Sequence, residues 1–201
     1  MVGLKAGLEL RPARADDAPW IVATESRPEF HTQVGNWPEA EHRRALSDVD
    51  HRYLIAQWRI GTQQTTPQAV QQTVQQGMQP AMQQQEQRCG FAILRGLSSP
   101  HRNVELKRFV IATPEQGTGS AVLSLVMQYV FEDLGAHRLW LDVFEDNLRA
   151  RHVYRKAGFQ EDGVFREAIY RDGEFHTLVL MAVLDREFWA LQRAGASAHT
   201  A

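Results

Sequence analysis

Apolar positions recur at helical spacing in one long stretch and crowd into short runs elsewhere. Val122, Leu123, Val126, Met127, Val130, Phe131 and Leu134 repeat with a period near 3.6, which predicts an amphipathic helix opened by Gly117 and Gly119 and ended by Gly135. Just before it, Val104 to Ala112 ends in the uninterrupted run Phe109, Val110, Ile111, Ala112, the pattern of a strand covered on both faces, and Thr113 and Pro114 stop it. Leu139 to Phe144 reads as the next strand, Asn147 caps a helix through Lys156, and Gly158 closes that helix. Two strand-like segments, Val164 to Arg171 and Glu174 to Val183, flank Asp172-Gly173, a pair suited to positive φ, so an antiparallel hairpin with a tight turn is expected.

The first half is less regular. Leu8 to Arg11 is a strand candidate, Asp16 and Asp17 can cap a helix from about Pro19 to Glu25, and Glu39 to Leu46 reads as a short helix. Tyr53 to Trp58 and Cys89 to Leu94 read as two further strands. Between them lies Gly61 to Arg88, rich in Gln, where Val70 and Val74 supply one apolar i, i+4 pair, too little to anchor a core helix. This segment reads as an insertion in a hairpin, serving either as a lid or partner-binding arm or as a tolerated surface excursion. One domain over residues 1–189 is expected, followed by a small, polar, flexible tail at 190–201. The β-α-β-α order of the second half implies an α/β fold with a mixed sheet and helices packed on it.

Composition narrows the partners. A chain of 201 residues with 43% hydrophobic and 23% charged residues suits a single globular domain. The 22 Lys plus Arg nearly balance 24 Asp plus Glu, which argues against a nucleic acid partner, since backbone binding calls for a basic face. No apolar run reaches the roughly 18 residues needed to span a bilayer, and Met1 to Leu10 carries no signal-peptide pattern. With one cysteine, Cys89, read as a buried small hydrophobe, a reducing cytoplasm is the expected compartment. The eight histidines are scattered and no metal site is expected.

Chemistry concentrates at two places. Between the buried strand and its helix runs Pro114-Glu115-Gln116-Gly117-Thr118-Gly119-Ser120-Ala121. Glycines there let a pyrophosphate approach the backbone while free amides at the helix start point toward it, although a plain turn would use the same glycines. A Walker loop is excluded because no G-K-[ST] follows, and the three-glycine dinucleotide fingerprint is not matched. The second place is Asn147-Leu148-Arg149-Ala150-Arg151-His152-Val153-Tyr154-Arg155-Lys156-Ala157-Gly158-Phe159. Q-G-x-G-x-A on a strand-to-helix turn, followed by N-x-x-A-x-x-x-Y-x-x-x-G-F, resembles the GCN5-related N-acetyltransferase (GNAT) superfamily. Within it the chain looks most similar to the branch of ribosomal-protein N-terminal and polyamine acetyltransferases, whose C-terminal hairpin Gly163 to Phe175 resembles. The Gln-rich insertion departs from the family pattern, and Gln116 stands where arginine is often found.

The resemblance implies a mostly antiparallel sheet in which one parallel pair, Val104 to Ala112 and Leu139 to Phe144, splays into a V that holds acetyl-CoA as cosubstrate. It implies that the amides of Gln116, Gly117, Thr118, Gly119 and Ser120 hold the pyrophosphate, and that those of Phe109, Val110 and Ile111 pair with the pantetheine arm. Asn147 would contact the pantetheine or the acceptor, or would serve only as a helix cap. Tyr154 would stand beside the thioester sulfur, where a phenol near pKa 10 can assist a thiolate of pKa about 8.5, rather than merely packing. By strand alternation Glu105 shares a face with Lys107, Phe109 and Ile111, which makes it the candidate general base; a salt bridge to Lys107 is the competing reading. Glu29, Phe30, Trp37, Tyr170, Arg171 and Glu174 are candidates for acceptor recognition or for capping the core. The expected activity is transfer of acetyl to a primary amine, on a small molecule or a protein N-terminus, by direct attack in a ternary complex. A catalytically silent acetyl-CoA sensor on the same fold is the alternative, and a homodimer is left open.

Overall fold

The computed structural model describes residues 7–31, 34–59, 87–113 and 117–197. Strand β1 (Leu8–Pro12), a 3-10 turn (Ala15–Asp17), α1 (Ala18–Glu25), the single turn α2 (Pro28–His31) and α3 (Glu39–Leu46) lead into β2 (His51–Trp58). After β3 (Gln87–Arg95) and β4 (Asn103–Ile111) come α4 (Thr118–Gln128), β5 (Arg138–Phe144) and α5 (Leu148–Lys156). The chain then forms β6 (Gln160–Arg171), β7 (Glu174–Leu184) and α6 (Asp185–Ser197). The strands make one sheet in the order β1-β2-β3-β4-β5-β7-β6. Every neighbouring pair is antiparallel except β4 and β5. This is the mixed, mostly antiparallel α/β architecture that the motifs imply.

Two apolar layers cover the sheet. On one face the periodic residues of α4, including Val122, Leu123 and Val126, pack with Leu139 and Leu141 of β5, Tyr154 of α5 and Phe188 of α6. On the other, Ile21 of α1 and Ala45 of α3 close over Tyr53, Ile55, Phe91, Ile93 and Val110, with Phe30, Val34 and Trp37 at the margin. Strands covered on both sides must be apolar at successive positions, which is why β2 and β3 lack clean alternation. The hairpin turn has Asp172 at φ 53 and Gly173 at φ 88, both left-handed as a type I′ turn requires.

Several expectations change. The helix opened by Gly117 is α-helical only to Gln128; one π-helical turn, Tyr129–Asp133, follows, with Leu134 N donating to Tyr129 O at 3.1 Å. Val130 and Phe131 stay buried across it, so the apolar stripe outlasts the α-helix. Asp17 does not cap α1. Its carboxylate instead accepts from Arg14 N at 2.8 Å and pairs with Arg11 and Arg88. The tail from Gln192 is helical through Ser197, because α6 continues past Trp189. Of the Gln-rich segment only Gln87 and Arg88, which open β3, are among the described residues; the rest of it lies outside them.

Candidate active site

Strands β4 and β5 pair only at Asn103 with Arg138, Val104 with Leu139 and Glu105 with Trp140. Beyond Glu105 they diverge and leave a cleft of about 810 Å³, within the range of small-molecule sites. The outer edge of β4 is therefore unpaired toward β5. Ala112 N donates to Cys89 O at 2.8 Å, so by alternation the amide of Val110 also points at β3, and those of Phe109 and Ile111 point into the gap. Of the three strand residues expected to offer amides there, two are directed into the cleft and Val110 is not.

At one mouth of the cleft stands the start of α4. Gly117 is its N-cap at φ 79, no side chain caps the helix, and the first helical bond is Ala121 N to Gly117 O at 3.1 Å. The amides of Thr118, Gly119 and Ser120 are thus first-turn donors without a helical acceptor. Among the described residues, a Cβ on Gly117 would meet no atom within 4 Å. The turn is therefore open where an anion would approach. Thr118 is fully buried and its Oγ1 has no hydrogen-bond partner among the described residues. Gln116 lies outside the described residues.

The wall opposite is α5, and its sequence explains where Tyr154 sits. Asn147 Oδ1 accepts from Ala150 N at 3.0 Å and starts the helix. Gly158 at φ 104 ends it: Gly158 N donates to Arg155 O and Phe159 N to Tyr154 O, both at 3.0 Å, the paired bonds of a Schellman motif. The Phe159 ring packs on Tyr154 at 5.7 Å between centroids, and Phe109 approaches from β4 at 6.4 Å. The spacing Y-x-x-x-G-F is thus a device that clamps one tyrosine at a helix end. Tyr154 is 8% exposed, lines the cleft, and has its pKa pushed up by burial and by the negative charge of Asp142.

Glu105 is placed differently from the sequence expectation. Ile93 pairs with Arg108 but Leu94 pairs with Leu106, so Lys107 is an extra residue in β4, a β-bulge. The bulge reverses the alternation. Val104 and Leu106 face the same core as Phe109 and Ile111, and Glu105 faces the other way. At 4% exposure Glu105 does not line the cleft; its carboxylate pairs with Lys107 Nζ at 3.3 Å and accepts from Arg95 Nε at 2.8 Å. The carboxylate that does line the cleft beside Tyr154 is Asp142 of β5, two residues past the last β4–β5 pair. Its pKa is raised by desolvation and by Glu105, against the lowering pull of Lys107 and Arg95. Its side chain is open to solvent because the cleft is. The sequence reading missed Asp142; alternation along β5 marks it only as an outward polar residue, and the splay turns that position into a site.

The side facing α1 to α3 is built on a buried polar cluster that the sequence did not reveal. Arg108 Nε lies 2.9 Å from Glu25 Oε1, an ion pair whose N–H is not aligned with the oxygen. Glu25 Oε2 meets His42 Nε2 at 3.1 Å and Trp37 N at 3.4 Å, and His42 Nδ1 meets Tyr53 Oη at 3.1 Å. Of the residues suggested for acceptor recognition, Glu29, Phe30, Trp37 and Arg171 line the cleft. Tyr170 and Glu174 do not; the Tyr170 ring packs on Phe175 at the hairpin end.

The profile of the acetyltransferase (GNAT) domain family matches residues 7–160, which include the splayed strands, the glycine turn and Tyr154. The chain belongs to the GNAT acetyltransferase family. It is 30% identical over 107 residues to a spermidine N(1)-acetyltransferase of Escherichia coli, covering 52% of this chain and 56% of that protein. It is 31% identical over 102 residues to a putative ribosomal N-acetyltransferase of Bacillus subtilis, covering 50% and 55%. The chain spans about half the length of the curated relatives it matches. In fold it is similar to spermidine N-acetyltransferase from Vibrio cholerae in complex with CoA and spermine, with a TM-score of 0.72 over 92% of this chain and 99% of that one, at 20% identity. Among the described residues, no helix is long and apolar enough to cross a membrane.

The residues present fit acetyl-CoA. The open Gly117 and unshared helix amides suit its diphosphate, and the cleft-facing amides of Phe109 and Ile111 suit an extended amide-bearing arm.

Proposed function

We propose that this GNAT protein is an N-acetyltransferase that passes acetyl from acetyl-CoA directly to a primary amine, with both substrates bound together. The observation that carries the reading is the splay of β4 from β5 after Glu105, with donor amides on one lip and the Tyr154 phenol on the other. Acetyl-CoA supplies an activated thioester; the protein supplies placement, which as effective molarity can contribute about 7–11 kcal/mol to a well-oriented reaction. The amides of Gly117, Thr118, Gly119 and Ser120 hold the diphosphate end, and those of Phe109 and Ile111 align the arm so that its sulfur reaches Tyr154. Tyr154 donates a hydrogen bond to the sulfur as the C–S bond breaks.

Attack needs a neutral amine, and an amine nitrogen near pKa 8 to 10 arrives largely protonated. Asp142 lines the same cleft and is the carboxylate that takes that proton, directly or through water. Glu105 contributes by fixing Lys107 and by adding negative charge near Asp142, not by meeting the amine. Asn147 holds the start of α5 and so sets the height of Tyr154 in the cleft.

The acceptor is a small-molecule amine or a protein N-terminus, and spermidine is the reference acceptor because relatives of this chain are named for it. Purified protein titrated with acetyl-CoA and then assayed for free thiol release against an amine panel tests the reading. Acetyl-CoA binding with amine-dependent thiol release supports it. Binding without release against any amine would sink catalysis, and no binding would sink the cleft assignment as well.

A further inference from the structure

Arg108 stands out among the cleft residues because it is buried yet incompletely used. The residue is 6% exposed, with its Nε against Glu25 and its guanidinium stacked 4.6 Å from the centroid of the Trp37 ring. No partner among the described residues is found for Nη1 or Nη2. Their end of the side chain lines the cleft beneath Gly35, where a Cβ would fall 2.5 Å from Nη1 and 3.1 Å from Nη2. The glycine leaves the room that this guanidinium occupies. A planar fork held rigid on an aromatic ring, with two donor nitrogens turned to a cleft, matches a carboxylate better than any cation.

A second cation faces the same space. Arg171, near the β6–β7 turn, stacks 5.2 Å from the Phe144 centroid and lines the same cleft. The two feel each other: Arg171 opposes the charge of Arg108, whose pKa is lowered chiefly by burial and held up by Glu25. Glu105 is engaged by Lys107 and Arg95 and does not line the cleft, so the carboxylates there that can attract a cation are Asp142 and Glu29. A polycation would therefore meet Arg108 and Arg171 as well as these two. An amine near Asp142 joined to an anionic group near Arg108 meets each charge with its opposite.

We propose that the acceptor carries a carboxylate beside its primary amine, and that Arg108 is the specificity-determining residue that receives it. This rests on the acetyl-transfer reading above, but its test does not need turnover. Amino acids with the amine and carboxylate one, two or three carbons apart are compared with their own amides and with spermidine. The first measurement is calorimetric binding to the CoA-loaded protein, and the second is thiol release from acetyl-CoA. At least one acid is expected to exceed its amide by about 10- to 100-fold in affinity and in kcat/KM, the range for a charge-assisted hydrogen-bonded pair. Removing Arg108 alone strands Glu25, so the informative variant is the double substitution Glu25→Gln with Arg108→Met. It should bring that acid down to the level of its amide, while acetyl-CoA affinity holds.

Equal binding of every acid and its amide by the unaltered protein overturns the carboxylate, and so does better use of spermidine than of any acid. That comparison stands even if the double variant fails to fold. An acid-selective protein that releases no thiol keeps the anion site and defeats the transferase reading instead.

Discussion

In the proposed mechanism, the magnitudes at Tyr154 decide what kind of acid it can be. An ordinary phenol lies near 10 and a departing thiolate near 8.5, and burial moves this phenol further up. Full proton transfer to sulfur is therefore uphill, whereas a hydrogen bond to the developing charge costs nothing in proton affinity, and the donor hydrogen is present throughout the neutral range. Tyr154→Phe keeps the ring packing on Phe159 and removes only that donor. We expect thiol release to fall by about 10²- to 10³-fold, with acetyl-CoA affinity unchanged by calorimetry; unaltered turnover would remove Tyr154 from the mechanism. For Asp142 the sign is set by desolvation, which raises its pKa above the ordinary carboxylate value. Its charged form is needed to hold or deprotonate the amine, so kcat/KM should fall as pH drops through that raised value, and Asp142→Asn should remove this acid limb along with much of the rate. A pH profile of the variant that keeps the limb would assign it to another group. The place of Tyr154 in the cleft was reachable from sequence through the resemblance of its motif, whose parts Asn147, Gly158 and Phe159 all lie within a few positions of it. Asp142 and Arg108 were not, because each becomes a site residue only when strands and helices far apart in sequence converge.

At the scale of elements, α5 separates two roles that one residue can hold. The cap bond from Ala150 N to Asn147 Oδ1 is worth about 0.5–2 kcal/mol, and an aspartate can accept it equally well. Asn147→Ala should therefore lower unfolding free energy by about 1 kcal/mol in denaturant titration, while Asn147→Asp leaves it nearly unchanged. If Asn147→Asp nevertheless loses thiol release, the side chain acts on a substrate as well as on the helix; if only Asn147→Ala does, capping accounts for it. Periodicity located most elements, since a helix stripe or an apolar run is written in neighbouring residues. What it missed is the phase of β4. Alternation placed Glu105 with Phe109 and Ile111, but the extra residue Lys107 in the β3–β4 ladder turns it to the opposite face. A bulge is a property of two strands in register, and one strand's pattern does not contain it. The same holds for Asp17, which reads as a helix cap in its own segment but is taken over by Arg11 of β1 and Arg88 of β3.

For the whole molecule the open question is what residues 60–86 contribute. The sheet constrains the answer without any knowledge of their path, because the strands on either side are already neighbours: β2 and β3 pair down to Trp58 with Gln87, and Arg59 N donates to Gly7 O at 2.6 Å. Chain ends that meet across an antiparallel ladder can be joined by a two- or three-residue turn, and Arg59 followed by Asn-Gly supplies a three-residue one that ends in the glycine such turns favour. Each doubling of loop length costs only about 0.6 kcal/mol in closure entropy, so shortening 27 residues to two gains at most about 2 kcal/mol. The cleft is formed by β4, β5, α4 and α5 and is walled by α2 and the loop before α3, with no described residue from the strand ends that the segment joins. We expect a protein with 60–86 replaced by Asn-Gly to fold with equal or slightly higher thermal stability and to bind acetyl-CoA with unchanged affinity. Thiol release with the preferred acceptor then reports on the segment itself: rates like the parent's identify it as a tolerated insertion, and loss of release with intact acetyl-CoA binding identifies it as part of acceptor handling. Failure of the shortened chain to fold would mean that the segment supports the β2–β3 edge, contrary to the ladder that the two strands already make on their own.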